Sequence, residues 1–198
     1  MILVEMEQKK SYIIGIGGMR AVGKSTVARN LSVLLRGDVI SCGYLREIAR
    51  HDDSSNNQEL FKSVARCSHL EESKKNLLVQ SETLLPLIEA SIGRYRDRKA
   101  TLIVEGAHLL PDLCKEKFDL LVIFVAPQEK TERRMYKDKD RKVSPEMLAR
   151  NSELQEYLIS EAKKNEIPII DTTSIPEASI QLIKLLSPTK PLLIKEQV

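Results

Sequence analysis

An α/β fold in three layers, with a five-stranded parallel sheet between helices, is what this sequence predicts, and three observations carry it. Short apolar runs alternate along the chain with longer segments of helical periodicity. One run, Leu120-Leu121-Val122-Ile123-Phe124-Val125, contains no polar residue, the pattern of a strand buried on both faces of a parallel sheet. The first run leads through a glycine-rich turn straight into a helix, so strand, loop and helix follow one another without a break.

In chain order, the strands are expected at Tyr12 to Gly17, Val39 to Ser41, Thr101 to Glu105, Leu120 to Val125 and Ile167 to Ile170. The first helix, Lys24 to Arg36, sets Val27, Leu31, Leu34 and Leu35 at helical spacing, and a second spans Tyr44 to Arg50. His51 to Gln58, crowded with Asp, Ser and Asn, reads as a mobile loop. Glu59 to Arg98 is mostly helix, with Leu77, Leu78, Leu84, Leu85, Leu87, Ile88 and Ile92 on one apolar face and a kink expected at Pro86. Pro127 to Lys139 makes a polar helix followed by a charged break. Ser144 caps another, Pro145 to about Asn165, with proline at its first position. Pro176 opens a closing helix to about Leu186, and residues 187–198 form an appended tail. The whole, 1–198, reads as one domain with a lid at about 133–146.

Composition narrows the class. With 198 residues, 42% hydrophobic and 30% charged, the chain has an ordinary globular balance. Thirty-one basic against 28 acidic residues leave +3, too even to call for a nucleic acid partner. Cys42, Cys67 and Cys114 are odd in number and lack zinc-ligand spacing, which argues against disulfides and a structural metal. No signal peptide or membrane-length apolar run is visible, so a cytoplasmic protein with no membrane partner is expected; a homodimer is compatible with these features.

Chemistry concentrates where the strands end. Gly18-Met19-Arg20-Ala21-Val22-Gly23-Lys24-Ser25, followed by Thr26, has the form G-x-x-x-x-G-K-[ST], a P-loop. Its glycines let successive N–H groups point at phosphate oxygens, Lys24 adds a mobile charge, and Ser25 is placed to hold magnesium at a helix N-terminus. The expected nucleotide site is therefore Gly18 to Thr26, with Mg2+ beside it; the resemblance given below implies that the nucleotide is ATP. Ligands in such a sheet bind beyond the strands' carboxyl ends. Glu105, ending its strand there, is a candidate metal ligand or acceptor of a hydroxyl proton, and His108 a candidate substrate contact. Arg46 has a guanidinium suited to an acceptor's phosphate or carboxylate. Phosphoryl transfer also needs cations over the transferring group. Adjacent arginines on a helix diverge by about 100°, so Arg134 and Arg141 are preferred over Arg133.

These segments resemble the P-loop kinases of small molecules, with a P-loop NTPase fold of the nucleoside-kinase-like kind. Several look like the archaeal 2-phosphoglycerate kinase family in particular. The resemblance is carried by Gly18 to Thr26, Ile40 to Glu47, Ile103-Val104-Glu105-Gly106-Ala107-His108-Leu109-Leu110-Pro111, and Leu154 to Leu158 leading to Ile167 to Ile170. It implies phosphoryl transfer from ATP to an alcohol of a small phosphorylated acid, with 2,3-bisphosphoglycerate as product. It puts Lys24 and Ser25 on nucleotide and metal, and Glu105 and His108 near the acceptor. One departure stands out: where that family carries an acid after the second strand, in a pattern like S-T-D-S-I-R-E, this chain has Ser41-Cys42-Gly43-Tyr44-Leu45-Arg46-Glu47. Two other readings therefore stay open: a nucleoside monophosphate kinase, and an ATP-binding regulatory protein that phosphorylates nothing.

Overall fold

The computed structural model describes residues 11–52, 64–137 and 143–186. Five strands, β1 (Ile13–Gly17), β2 (Asp38–Ser41), β3 (Leu102–Glu105), β4 (Leu120–Val125) and β5 (Ile169–Asp171), form one sheet in the order β2-β3-β1-β4-β5. Every adjacent pair runs parallel. The seven α-helices among the described residues are α1 (Lys24–Leu35), α2 (Cys42–Asp52), α3 (Leu70–Asp97), α4 (Pro111–Cys114), α5 (Gln128–Lys137), α6 (Pro145–Lys164) and α7 (Ile175–Leu186). Short 3-10 turns lie at Val64–Arg66 and Lys115–Lys117.

Alternation along β1 explains the layering. Ile14 and Ile16 point to one face, where they meet Val27 and Leu31 of α1 and Ala178 and Leu182 of α7. Ile13 points to the other, into a larger cluster with Leu77, Leu84 and Ile88 of α3 and Leu154 and Leu158 of α6. Two hydrophobic cores thus share one sheet, which gives the three layers.

Most elements expected from periodicity are present with ends shifted by a few residues, but the long helix expected from Glu59 starts only at Leu70, after the 3-10 turn at Val64–Arg66, and residues 59–63 lie outside the described residues. The acid-rich loop begins later than the composition implies, because α2 runs on through His51 and Asp52; residues 53–58 of that loop lie outside the described residues, as do 187–198. Pro86 does not interrupt α3, a single 28-residue helix, and it lies on the exposed side, where the Glu82 carbonyl left without its helix donor can meet water rather than the core. The helix α4 went unread because it is only four residues long, too short to show a period. Of the proposed lid, Arg133 to Lys137 belong to α5, 138–142 fall outside the described residues, and Ser144 caps α6 by accepting from the Met147 N–H at 3.3 Å. No described helix is long and apolar enough to cross a membrane.

Register sets up the site. Ile16 of β1 and Ser41 of β2 both pair with Glu105 of β3, so the carboxyl ends of three strands finish level, beside the loop that follows Gly17.

Candidate active site

The loop between β1 and α1 is fastened in both cores. Met19 is buried in the α3/α6 cluster and Val22 in the α1/α7 cluster. Its turn depends on left-handed backbone at Gly18 (φ 127°), Ala21 (φ 63°) and Gly23 (φ 96°). A Cβ at Gly18 would also lie 2.3 Å from the Phe124 carbonyl oxygen, so backbone crowding and φ both exclude a side chain there, whereas at Gly23 the nearest atom, Ile175 Cδ1 at 2.6 Å, is a movable side-chain end and φ carries the restriction.

Four carbonyls of the loop are each engaged by a side chain. Lys24 Nζ donates to Met19 O at 2.7 Å, Asn151 Nδ2 to Arg20 O at 3.3 Å and Arg134 Nη1 to Ala21 O at 3.1 Å, while Thr172 Oγ1 donates to Val22 O. With these carbonyls turned to side-chain donors and the Arg20 N–H donating to Asn151 Oδ1, the N–H groups that follow in the loop are left for an anion. A cleft of about 310 Å3 opens there, lined by Arg20, Ala21, Gly23 to Thr26, Arg134 and Met135.

Beneath the cleft, Ser25 Oγ donates to Glu105 Oε1 at 3.2 Å. Glu105 is only 5% exposed, as the end of a fully buried strand must be. Lys24 is buried as well; burial lowers its pKa, and Glu105 followed by Cys42 pull it back up. Cys42 packs against Gly106, and burial pushes its thiol well up, with Glu105 adding to the effect.

His108 is 6% exposed, so it is no surface residue. Its Nε2 lies 3.0 Å from Gln80 Oε1 of α3, an arrangement that makes Nε2 the protonated nitrogen of the neutral ring. Burial, reinforced by Arg46 and then Lys24, lowers its pKa to about 4, so the ring is neutral near pH 7. Its Nδ1 and the Nε of Arg46 are buried polar atoms without a hydrogen-bond partner among the described residues. Arg46 rests its Nη2 on Glu47 at 3.0 Å and keeps 26% of its side chain exposed.

The fold therefore brings Lys24, Ser25, Glu105 and Cys42 together, with His108 near enough to feel the charges of Arg46 and Lys24. Arg134 sits on the loop itself, its Nη2 donating to Thr172 O at 2.9 Å, while Arg133 faces solvent. Arg141 lies outside the described residues. Gly43 is exposed, and a Cβ there would meet only Ser41 Oγ at 3.4 Å, so nothing steric keeps an acid from that position. Gln80, Asn151, Gln155 and Thr172 were not singled out from sequence. A signal for two of them did exist: Gln80 and Asn151 are polar residues at apolar-stripe positions of α3 and α6.

No family model matches the chain. Among solved structures, a shikimate kinase from Acinetobacter baumannii in complex with shikimate superposes with a TM-score of 0.61 at 17% identity, covering 92% of this chain and 96% of its own. A gluconokinase from Sinorhizobium meliloti 1021 does so with a TM-score of 0.57 at 14% identity, covering 90% and 95%. The fold is that of the P-loop kinases.

Within that fold, sequence similarity points more narrowly. A 2-phosphoglycerate kinase of Methanococcus maripaludis strain C5 is 27% identical over 206 residues, covering 91% of this chain and 66% of its own length. Another, from Thermococcus kodakarensis, is 26% identical over 199 residues, covering 90% and 67%. The chain spans about two thirds of the length of these curated relatives.

Proposed function

We propose that this protein is an ATP-dependent phosphotransferase that phosphorylates an alcohol of a small phosphorylated metabolite, with 2-phosphoglycerate as the leading acceptor and 2,3-bisphosphoglycerate as its product. The observation that carries the reading is the Ser25–Glu105 hydrogen bond at the root of the Lys24 loop, beside two buried polar atoms, Arg46 Nε and His108 Nδ1, that lack protein partners among the described residues. The similarity to the 2-phosphoglycerate kinases supports the acceptor.

The loop N–H groups and Lys24 hold the nucleotide's phosphates, and Arg46 takes the acceptor's anionic group. The acceptor hydroxyl oxygen attacks the γ-phosphorus; the bond from that phosphorus to the bridging oxygen breaks, ADP leaves with the electron pair, and the hydroxyl proton passes to the carboxylate of Glu105. His108, neutral and bare at Nδ1, accepts a hydrogen bond and helps orient the hydroxyl. Lys24 stabilises the charge spreading onto the transferring oxygens, Arg134 adds a second cation from its place on the loop, and Arg141 is the lid cation of this scheme. Ser25 Oγ and Glu105 supply two hard oxygen donors that fit magnesium, and they would hold it. Bound there, the ion supplies charge neutralisation on the phosphates.

Gly43 favours one second reading, an ATP-binding regulatory protein without an acceptor, because the acid of the family pattern is missing. ADP release, assayed with 2-phosphoglycerate, other phosphorylated polyols and nucleoside monophosphates, separates these readings. ADP should appear only with acceptor, most rapidly with 2-phosphoglycerate, and Lys24→Ala should abolish it while the circular dichroism spectrum stays unchanged. Preference for a nucleoside monophosphate replaces the acceptor, acceptor-independent behaviour selects the regulatory reading, and wild-type turnover by the folded Lys24→Ala variant sinks the scheme.

A further inference from the structure

We propose that Asn151 is a positioning residue for the nucleotide phosphates, gripping both backbone groups of Arg20 and so fixing the conformation of the P-loop. The inference rests on the reading of that loop as a nucleotide site. Asn151, on the second turn of α6, is 3% exposed. Its Oδ1 accepts from the Arg20 N–H at 3.2 Å and its Nδ2 donates to the Arg20 carbonyl at 3.3 Å. Because a backbone N–H only donates and a carbonyl only accepts, the pair leaves one orientation of the carboxamide.

One turn later, Gln155 repeats the device on a different segment. Its Oε1 accepts from the Ala126 N–H at 3.1 Å and its Nε2 donates to the Ala126 carbonyl at 3.0 Å. The same helix thus carries two carboxamide clamps, one on the phosphate loop and one on the turn after β4. Their chemistry is alike and their targets differ.

The loop needs such a hold. Arg20 lies between left-handed Gly18 and Ala21, in a stretch that neither a helix nor a strand ladder supports. Arg134 and Thr172 fasten the next two carbonyls, each by a single contact on its residue. Asn151 alone among these side chains takes both the N–H and the C=O of one loop residue, which fixes the rotation of the peptides on either side. Without it, the N–H groups after Arg20 lose their common direction, and the cost falls on phosphate binding.

Gln155 makes an internal control. Isothermal titration of ATP into wild type, Asn151→Leu and Gln155→Met, together with thermal unfolding, tests the assignment. Both substitutions remove a two-bond clamp and should lower stability comparably, but only Asn151→Leu should weaken ATP binding, by about tenfold for the lost pair of buried hydrogen bonds. The KM for ATP should rise with it, while the KM for acceptor and the Gln155→Met values stay within about twofold of wild type. Should Asn151→Leu not fold, Asn151→Ser keeps the site polar and is expected to weaken ATP binding in the same direction. Wild-type affinity in a folded Asn151 variant, or equal weakening by Gln155→Met, overturns the inference while leaving the nucleotide site standing. Wild-type protein that binds no more ATP than Lys24→Ala overturns the nucleotide reading, and this inference with it.

Discussion

His108 ties the site to pH. Its pKa in the folded protein, about 4, lies below the ordinary 6.5 because burial, then Arg46, then Lys24 oppose the charged ring. The unfolded chain therefore binds a proton between those two values that the folded chain refuses. Stability is full above about pH 6.5 and declines as pH falls toward 4, by up to about 3 kcal/mol. Urea unfolding at about pH 7.5 and about pH 5 should show wild type losing roughly 2 kcal/mol more than His108→Gln. Equal losses in the two proteins would mean that the ring is not held neutral by its surroundings. The same neutrality leaves Nδ1 as an acceptor, which is the use the proposed transfer makes of it.

At the scale of elements, α6 links the phosphate loop to the core. It starts at the Ser144 cap and carries Asn151 and Gln155 on the face that also buries Leu148, Leu154 and Leu158. A polar residue on such a face is costly unless its partners are met, and both carboxamides meet theirs on backbone far away in sequence. Ser144→Ala removes the cap and should destabilise the protein by about 1 kcal/mol in chemical denaturation. An unchanged midpoint would show that Pro145 and packing alone start the helix. The helix α3 makes a parallel case: its apolar stripe is interrupted by Gln80, whose carboxamide is spent on His108.

For the whole molecule, the central feature is one sheet serving two cores. Ile14 belongs to the α1/α7 side and Leu84 to the α3/α6 side, and both are fully buried. Truncation to alanine at either position should cost about 2–5 kcal/mol. Because β1 contributes side chains to both cores, each substitution should shift a single cooperative unfolding transition followed by circular dichroism and by fluorescence of its tyrosines. Two separable transitions would show that the faces unfold independently. The level ends of β1, β2 and β3 are a product of the same architecture. They place Ile16, Ser41 and Glu105 side by side, and α1 then carries Lys24 and Ser25 over them.

What could be read without coordinates was local. The phosphate loop is eight contiguous residues whose glycines and lysine have backbone and charge reasons of their own, and β4 is legible because burial on both faces leaves no room for a polar residue. Glu105 follows from the same logic, being the acid that ends an apolar strand. The grip of Asn151 on Arg20 spans 131 positions, and that of Thr172 on Val22 spans 150. No periodicity reaches so far, since a carboxamide on a helix face looks the same in sequence whether it meets water or a carbonyl. His108 likewise passed for a loop residue until α3 covered it. By itself the sequence determined the strands, the existence of the longer helices and the phosphate loop, because each rests on neighbouring residues. Only the packing of α3 and α6 against the sheet in the order β2-β3-β1-β4-β5 decided which buried polar groups hold that loop and which keep no hydrogen-bond partner among the described residues.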